Sequence, residues 1–203
     1  MLLLIVKVIF RVNQIPMKLL VLFFITLNSI SVYCQSECFK DCSKVMASKL
    51  PFTDKLKILH GCSTPEFATK NIEGETLSST ELKGKILVIN FWYIGCAPCR
   101  AEIPGLNMLA EKYKKDVLFL SFAKDDIASL KKFVQKSPLY FQLIPSADKY
   151  ANLFCIVAGY PTNMVVDKEG KVALMFSGGR VDDKASEEVV NRIEPTLIKL
   201  LSK

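Results

Sequence analysis

Cys96 and Cys99, separated by Ala97-Pro98, are the residues of this 203-residue chain whose type and spacing could do chemistry. An apolar run from Ile86 to Tyr93 leads straight into them, and beyond them Ile103, Leu106, Leu109, Ala110 and Tyr113 recur at helical intervals. The pattern predicts a strand that delivers a dithiol to the start of a helix. Helix amides and the macrodipole favour an anion there, so the Cys96 thiolate is stabilised over that of an ordinary cysteine. A thiolate attacks disulfides, and a second thiol one turn away can complete the exchange. A zinc site would want further Cys or His ligands at suitable spacing, and none lies close by.

The elements that must hold this pair follow from the pattern on either side. Phe67 to Asn71 and Thr76-Leu77 flank Glu73-Gly74 as a hairpin, and Ser78 to Leu82 reads as a capped helical turn before Gly84. Ile86 to Tyr93 is nearly continuous in apolar residues, as expected for a strand covered on both faces, with Asn90 the interruption. The helix after the dithiol runs to about Lys115 and carries Pro104, which should kink it. A strand at Val117 to Phe122, a helix at Ile127 to Lys136, an extended piece at Leu139 to Ile144 and a short helix at Lys149 to Phe154 come next. Strands Thr162 to Asp167 and Val172 to Ser177 join across Lys168 to Lys171. A final helix, Ala185 to Leu201, has an apolar stripe and a bend or restart at Pro195. The order predicts an α/β domain, a central mixed sheet with helices on both faces and an N-terminal hairpin extension.

Half of the residues are hydrophobic, enough for one domain of ordinary size. Met17-Lys18 followed by Leu19 to Leu27 has the charged start and short apolar core of a secretory signal peptide, so residues 1–34 are expected to be a signal segment whose true start is Met17. The alternative is an uncleaved membrane anchor, for which that apolar core is short of the roughly 20 residues a bilayer needs. Residues 35–64 form a cysteine-bearing lead and 65–203 the main domain. Seven cysteines and an export signal point to an oxidising compartment. Structural disulfides are expected among Cys38, Cys42, Cys62 and Cys155, in a pairing that sequence does not choose. The net charge of +7 falls to +4 without Lys7, Arg11 and Lys18, and the remaining lysines are interspersed with acids. That is a solvated surface, and nucleic acid is not an expected partner.

Taken in order, Leu82-Lys83-Gly84-Lys85, Val88-Ile89-Asn90-Phe91-Trp92, Cys96-Ala97-Pro98-Cys99, Arg100-Ala101-Glu102-Ile103-Pro104 and Gly159-Tyr160-Pro161-Thr162 resemble the thioredoxin superfamily. Within it they are most similar to the exported TlpA-like and ResA-like thiol-disulfide oxidoreductases. The resemblance spans about Pro65 to Leu201 and implies a thioredoxin-like fold. By that likeness Cys96 is the exposed attacking cysteine, Cys99 the buried resolving one, Pro98 the spacer proline and Pro161 a cis-proline facing the dithiol. Tyr160 would offer its backbone to an extended substrate, Trp92 would pack beneath the site, and Glu102 and Arg100 occupy family positions on the first helical turns.

Three departures from the pattern matter. Asn90 stands where thioredoxins proper bury an acid, the spacer lacks the acid of apocytochrome-handling members, and Gly95 replaces a common tryptophan, leaving a smaller rim. The expected activity is reduction or exchange of disulfides in protein partners, fed by a membrane-bound electron donor, in the periplasm, with no metal and no organic cofactor. The alternative is a copper-binding metallochaperone on the same fold, although such proteins have a three-residue cysteine spacer and a downstream histidine, whereas the single His60 lies upstream. A peroxidase of this scaffold would set its cysteine in a Pro-x-x-x-Thr-x-x-Cys context, which this chain lacks.

Overall fold

The computed structural model describes residues 38–203, which form one compact unit. The expected signal segment, residues 1–34, therefore lies outside the described residues. Five strands make the central sheet: β3 (Ile86–Trp92), β4 (Val117–Ala123), β5 (Gln142–Ile144), β6 (Thr162–Val166) and β7 (Val172–Ser177). Their order is β5-β4-β3-β6-β7, with β3, β4 and β5 parallel and β6 and β7 antiparallel to their neighbours. A separate antiparallel pair, β1 (Ala68–Lys70) and β2 (Thr76–Ser78), is the expected hairpin extension. Its loop is organised by Asn71, whose Oδ1 accepts the N–H groups of Glu73 and Glu75.

All seven residues of β3 are buried, because the strand is central and covered on both faces. Its side chains alternate accordingly. Ile86, Val88 and Trp92 pack beneath α2 (Ala97–Tyr113) and α5 (Ala185–Leu201), against Leu106, Leu109, Val189, Ile193 and Leu197. Leu87, Ile89 and Phe91 face the other way, into an aromatic cluster where Phe91 stacks on Phe122 at 5.2 Å and Phe154 and Phe67 close around them. Each fully buried side chain of this size contributes about 1.5–3 kcal/mol. Both long helices continue through their internal prolines, Pro104 and Pro195, without a break, so no restart occurs at Pro195. Next to Pro104, Gly105 lets α2 and α5 meet: a Cβ there would collide with the backbone of Ser186, lying 2.9 Å from its Cα.

The second face is completed by the lead and by α4 (Asp148–Leu153). The lead carries α1 (Cys42–Ala47) and a 3₁₀ helix (Phe52–Leu59), in which Leu56 and Leu59, three residues apart, point into the core. Two disulfides hold it: Cys38 to Cys62 and Cys42 to Cys155. Residues 60–64 also run along the outer edge of β7. Gly61 N–H donates to Val172 O, Val172 N–H to Cys62 O and Thr64 N–H to Gly170 O, while the His60 ring Nε2 accepts the Met175 N–H at 3.0 Å. At the opposite edge, Ile72 N–H donates to Leu143 O of β5. Ser78 and Glu81 exchange hydrogen bonds as a capping pair would, but the chain turns once and enters β3 with no helix between. The expected helix between β4 and β5, α3 (Ile127–Val134), is capped by Asp126, whose carboxylate accepts the Ser129 N–H.

Candidate active site

β3 ends at Trp92, and four residues later Cys96 caps α2. Cys96 and Cys99 are joined as a disulfide with Cα atoms 5.3 Å apart, and Cys99 N–H donates to Cys96 Sγ at 3.2 Å. This is the N-cap geometry in which a sulfur takes the place of a side-chain oxygen. Pro98 sits in the first turn, where a missing N–H costs no intrahelical bond. Cys96 was expected to be exposed, yet only 4% of its surface is accessible, against 2% for Cys99. Bonded to its partner, the Cys96 sulfur is turned in against the helix amides rather than out to solvent.

The Tyr160-Pro161 peptide bond is cis. β6 starts at Thr162, paired in register with Phe91, so the proline loop and the dithiol loop leave the sheet at the same end of adjacent strands. Between them lies an aromatic rim. The Tyr93 and Tyr160 rings meet edge to face at 5.6 Å, and Lys124 Nζ stands over both, 5.9 and 5.7 Å from their centroids. A Cβ on Gly95 would come within 3.3 Å of the Tyr93 ring, so that ring fills the space which a side chain at Gly95 would claim. The rim is thus rebuilt by a different residue. Trp92 is buried beneath the site and donates its indole N–H to Ser121 at 2.5 Å.

Under the dithiol a polar chain crosses the core. Asn90 Nδ2 donates to Asn163 Oδ1 at 2.9 Å, and Asn163 Nδ2 donates to Glu102 Oε2 at 3.0 Å. The two asparagines are direct cross-strand partners. Glu102 is 2% exposed, unlike Arg100 two residues earlier, which faces solvent. Burial pushes the Glu102 carboxyl up from its ordinary 4.5 to about 7; the Asn163 hydrogen bond and the Arg192 guanidinium oppose this, and Glu188 adds to it. Since Glu102 follows Cys99 by three residues on α2, the two share a helix face. With its carboxyl raised to about 7 and one helical turn from Cys99, Glu102 is a candidate acceptor for the proton of the reduced Cys99.

Sequence reasoning pointed to Asn90 and Glu102 separately and missed Asn163, which joins them. An asparagine inside an apolar strand that pairs with the Asn90 strand was the available signal. His60, the histidine that the copper alternative would use, accepts the Met175 N–H of β7 on its Nε2.

A parallel-antiparallel five-stranded sheet with a cysteine pair capping the helix after its central strand, and a cis-proline on the neighbouring strand, defines a thioredoxin-like thiol-disulfide oxidoreductase. The chain belongs to the AhpC/TSA family, whose model matches residues 60–175. It is 33% identical over 148 residues to thiol-disulfide oxidoreductase ResA of Bacillus thuringiensis, covering 71% of this chain and 84% of that one. ResA of Geobacillus thermodenitrificans is 30% identical over 131 residues, with 63% and 74% covered. Among solved structures, a Chlorobium tepidum protein put forward as thiol:disulfide interchange protein DsbE superposes with a TM-score of 0.59 at 28% identity, covering 68% of this chain and 97% of its own. A Neisseria meningitidis protein put forward as a thioredoxin gives 0.52 at 29% identity, covering 64% and 89%.

Proposed function

We propose that the protein is exported and reduces or exchanges disulfides in protein partners through a mixed disulfide on Cys96. The observation that carries this reading is the cysteine pair closed on the first turn of α2, with Cys99 N–H donating to Cys96 Sγ. In the reduced protein the same amides favour the Cys96 thiolate. That thiolate attacks one sulfur of a partner disulfide, forming a Cys96–partner bond and expelling the other partner sulfur as a thiolate. Cys99 then loses its proton to Glu102 and attacks the Cys96 sulfur. The second partner sulfur leaves as a thiolate and takes up a proton, so the partner departs as a dithiol carrying the two electrons and the protein is left oxidised as the Cys96–Cys99 disulfide. Run backwards, the same steps oxidise a partner.

Pro161 and Tyr160 line the partner's approach, and an extended segment pairing with the Tyr160 backbone would bring its cysteine to Cys96. Trp92 and Asn90 support the floor. Residues 1–34 act as a signal segment, 35–64 as the lead and 65–203 as the thioredoxin-like domain, and the compartment is the periplasm, with a membrane-bound donor returning electrons. No helix among the described residues is long and apolar enough to cross a membrane.

The test is turnover of a protein disulfide substrate with dithiothreitol as the donor. Cys96→Ser should abolish it, and Cys99→Ser should accumulate a Cys96-linked mixed disulfide visible by mass. Full turnover by Cys96→Ser would overturn the mechanism. N-terminal mass mapping of the protein recovered from a periplasmic fraction should find the chain starting near Gln35; an intact N-terminus would refute cleavage.

A further inference from the structure

β7 ends at Ser177 and is followed by two exposed glycines, Gly178 and Gly179, before Arg180. Their reasons for being glycine differ. Gly178 has φ +85, a conformation in which a side chain is strained, but a Cβ there meets nothing within 4 Å. Gly179 lies outside the left-handed region, so the backbone does not itself ask for glycine. Space does: a Cβ on Gly179 would collide with Glu102 Oε1, lie 3.2 Å from Glu102 Cδ and 3.1 Å from Pro161 Cγ. The buried acid, the cis-proline and an exposed backbone turn meet at this one point.

We propose that Gly179 is a positioning residue: the side chain it lacks is the space in which the Glu102 carboxylate stands between Asn163 and the cis-proline loop. Three things could give way to a larger residue. Pro161 is fixed within a loop whose carbonyl accepts both the Gly178 N–H and the Ser177 hydroxyl. The turn itself is pinned by that same Gly178 bond. The carboxylate, at the end of a side chain with three rotatable bonds, is the part that moves. Its displacement breaks the Asn163 hydrogen bond and leaves a buried amide unpaired. The acid then no longer holds its place along the helix face it shares with Cys99. The inference rests on the proposed role of Glu102 as proton acceptor and adds the element that holds it in place.

The experiment is the pH dependence of Cys99-limited resolution in the full chain. A mixed disulfide preformed on Cys96 is released, and its decay rate is read from pH 5 to 9 in wild type, Gly179→Ala, Gly178→Ala and Glu102→Gln. Glu102→Gln should erase the inflection near neutrality. Gly179→Ala should move it by about half a pH unit or more, roughly a threefold change in the protonation ratio. Gly178→Ala, which disturbs the same turn without touching the acid, should leave it in place. A wild-type inflection in Gly179→Ala, alongside its loss in Glu102→Gln, would overturn this inference alone. An inflection that survives Glu102→Gln would overturn the proton-acceptor reading first.

Should Gly179→Ala fold poorly, stability gives the second readout. Gly179→Ala should lower the unfolding midpoint in the native background and have little effect in a Glu102→Ala background, where the obstructing carboxylate is absent. An equal loss in both backgrounds would refute the positioning role.

Discussion

Glu102 places an ionisable group where water cannot reach it, with one amide as its hydrogen-bond partner, and that placement links the chemistry of the site to the stability of the protein. The folded protein keeps the Glu102 proton up to about pH 7, whereas an unfolded chain releases it near 4.5. Between those values unfolding releases a proton, so the contribution of this group is fully present below 4.5 and is lost as pH rises through 7. The loss is on the order of 3 kcal/mol. Denaturant titrations at pH 5 and pH 8 should therefore show wild type losing about that much more stability than Glu102→Gln. Equal losses in the two proteins would count against the raised carboxyl. The cysteines and Asn90 were legible from residue type and order, and the cis-proline from the family likeness. Burial of Glu102 was not, because whether a charged residue on the second turn of α2 faces solvent depends on how α5 and the loop after β7 close over it. Gly179 was illegible for the same reason: the collision that demands a glycine is with side chains 77 and 18 positions away in the chain.

At the scale of elements, the central strands and the two long helices could be read because their apolar periods are long and uninterrupted. Boundaries agree within a few residues, as at β3, which stops at Trp92 one residue short of the apolar run. The lead was the least legible stretch. Its helices are short, and what holds them is a pair of disulfides, one of which reaches Cys155 across 113 positions. No local pattern encodes such a partner. Replacing Cys42 and Cys155 by serine should lower stability by about 2–5 kcal/mol, the range for a cross-link closing a long loop. Unfolding in denaturant, followed by fluorescence of Trp92, the one tryptophan of the chain, measures this directly. Turnover at Cys96 and Cys99 should persist at temperatures where the variant is folded. An unchanged midpoint would mean that packing of Phe39, Val45 and Leu56 holds the lead without the bond.

At the scale of the described residues as a whole, chain that precedes β3 lies against both edge strands of the sheet. Residues 60–64 occupy the rim of β7, and Ile72 bonds to β5, so both ends of the strand order are occupied by chain that precedes β3. An open strand edge is a template for any extended polypeptide, and proteins that leave one bare invite aggregation. The danger is sharper for an enzyme whose proposed partners present an extended segment to it. With chain of its own along both flanks, the protein leaves the proline loop as the place for the proposed guest strand to pair. Under the proposed function, the lead and the β1–β2 loop then have a task besides stability: they take up the sheet edges at which a client segment would otherwise pair.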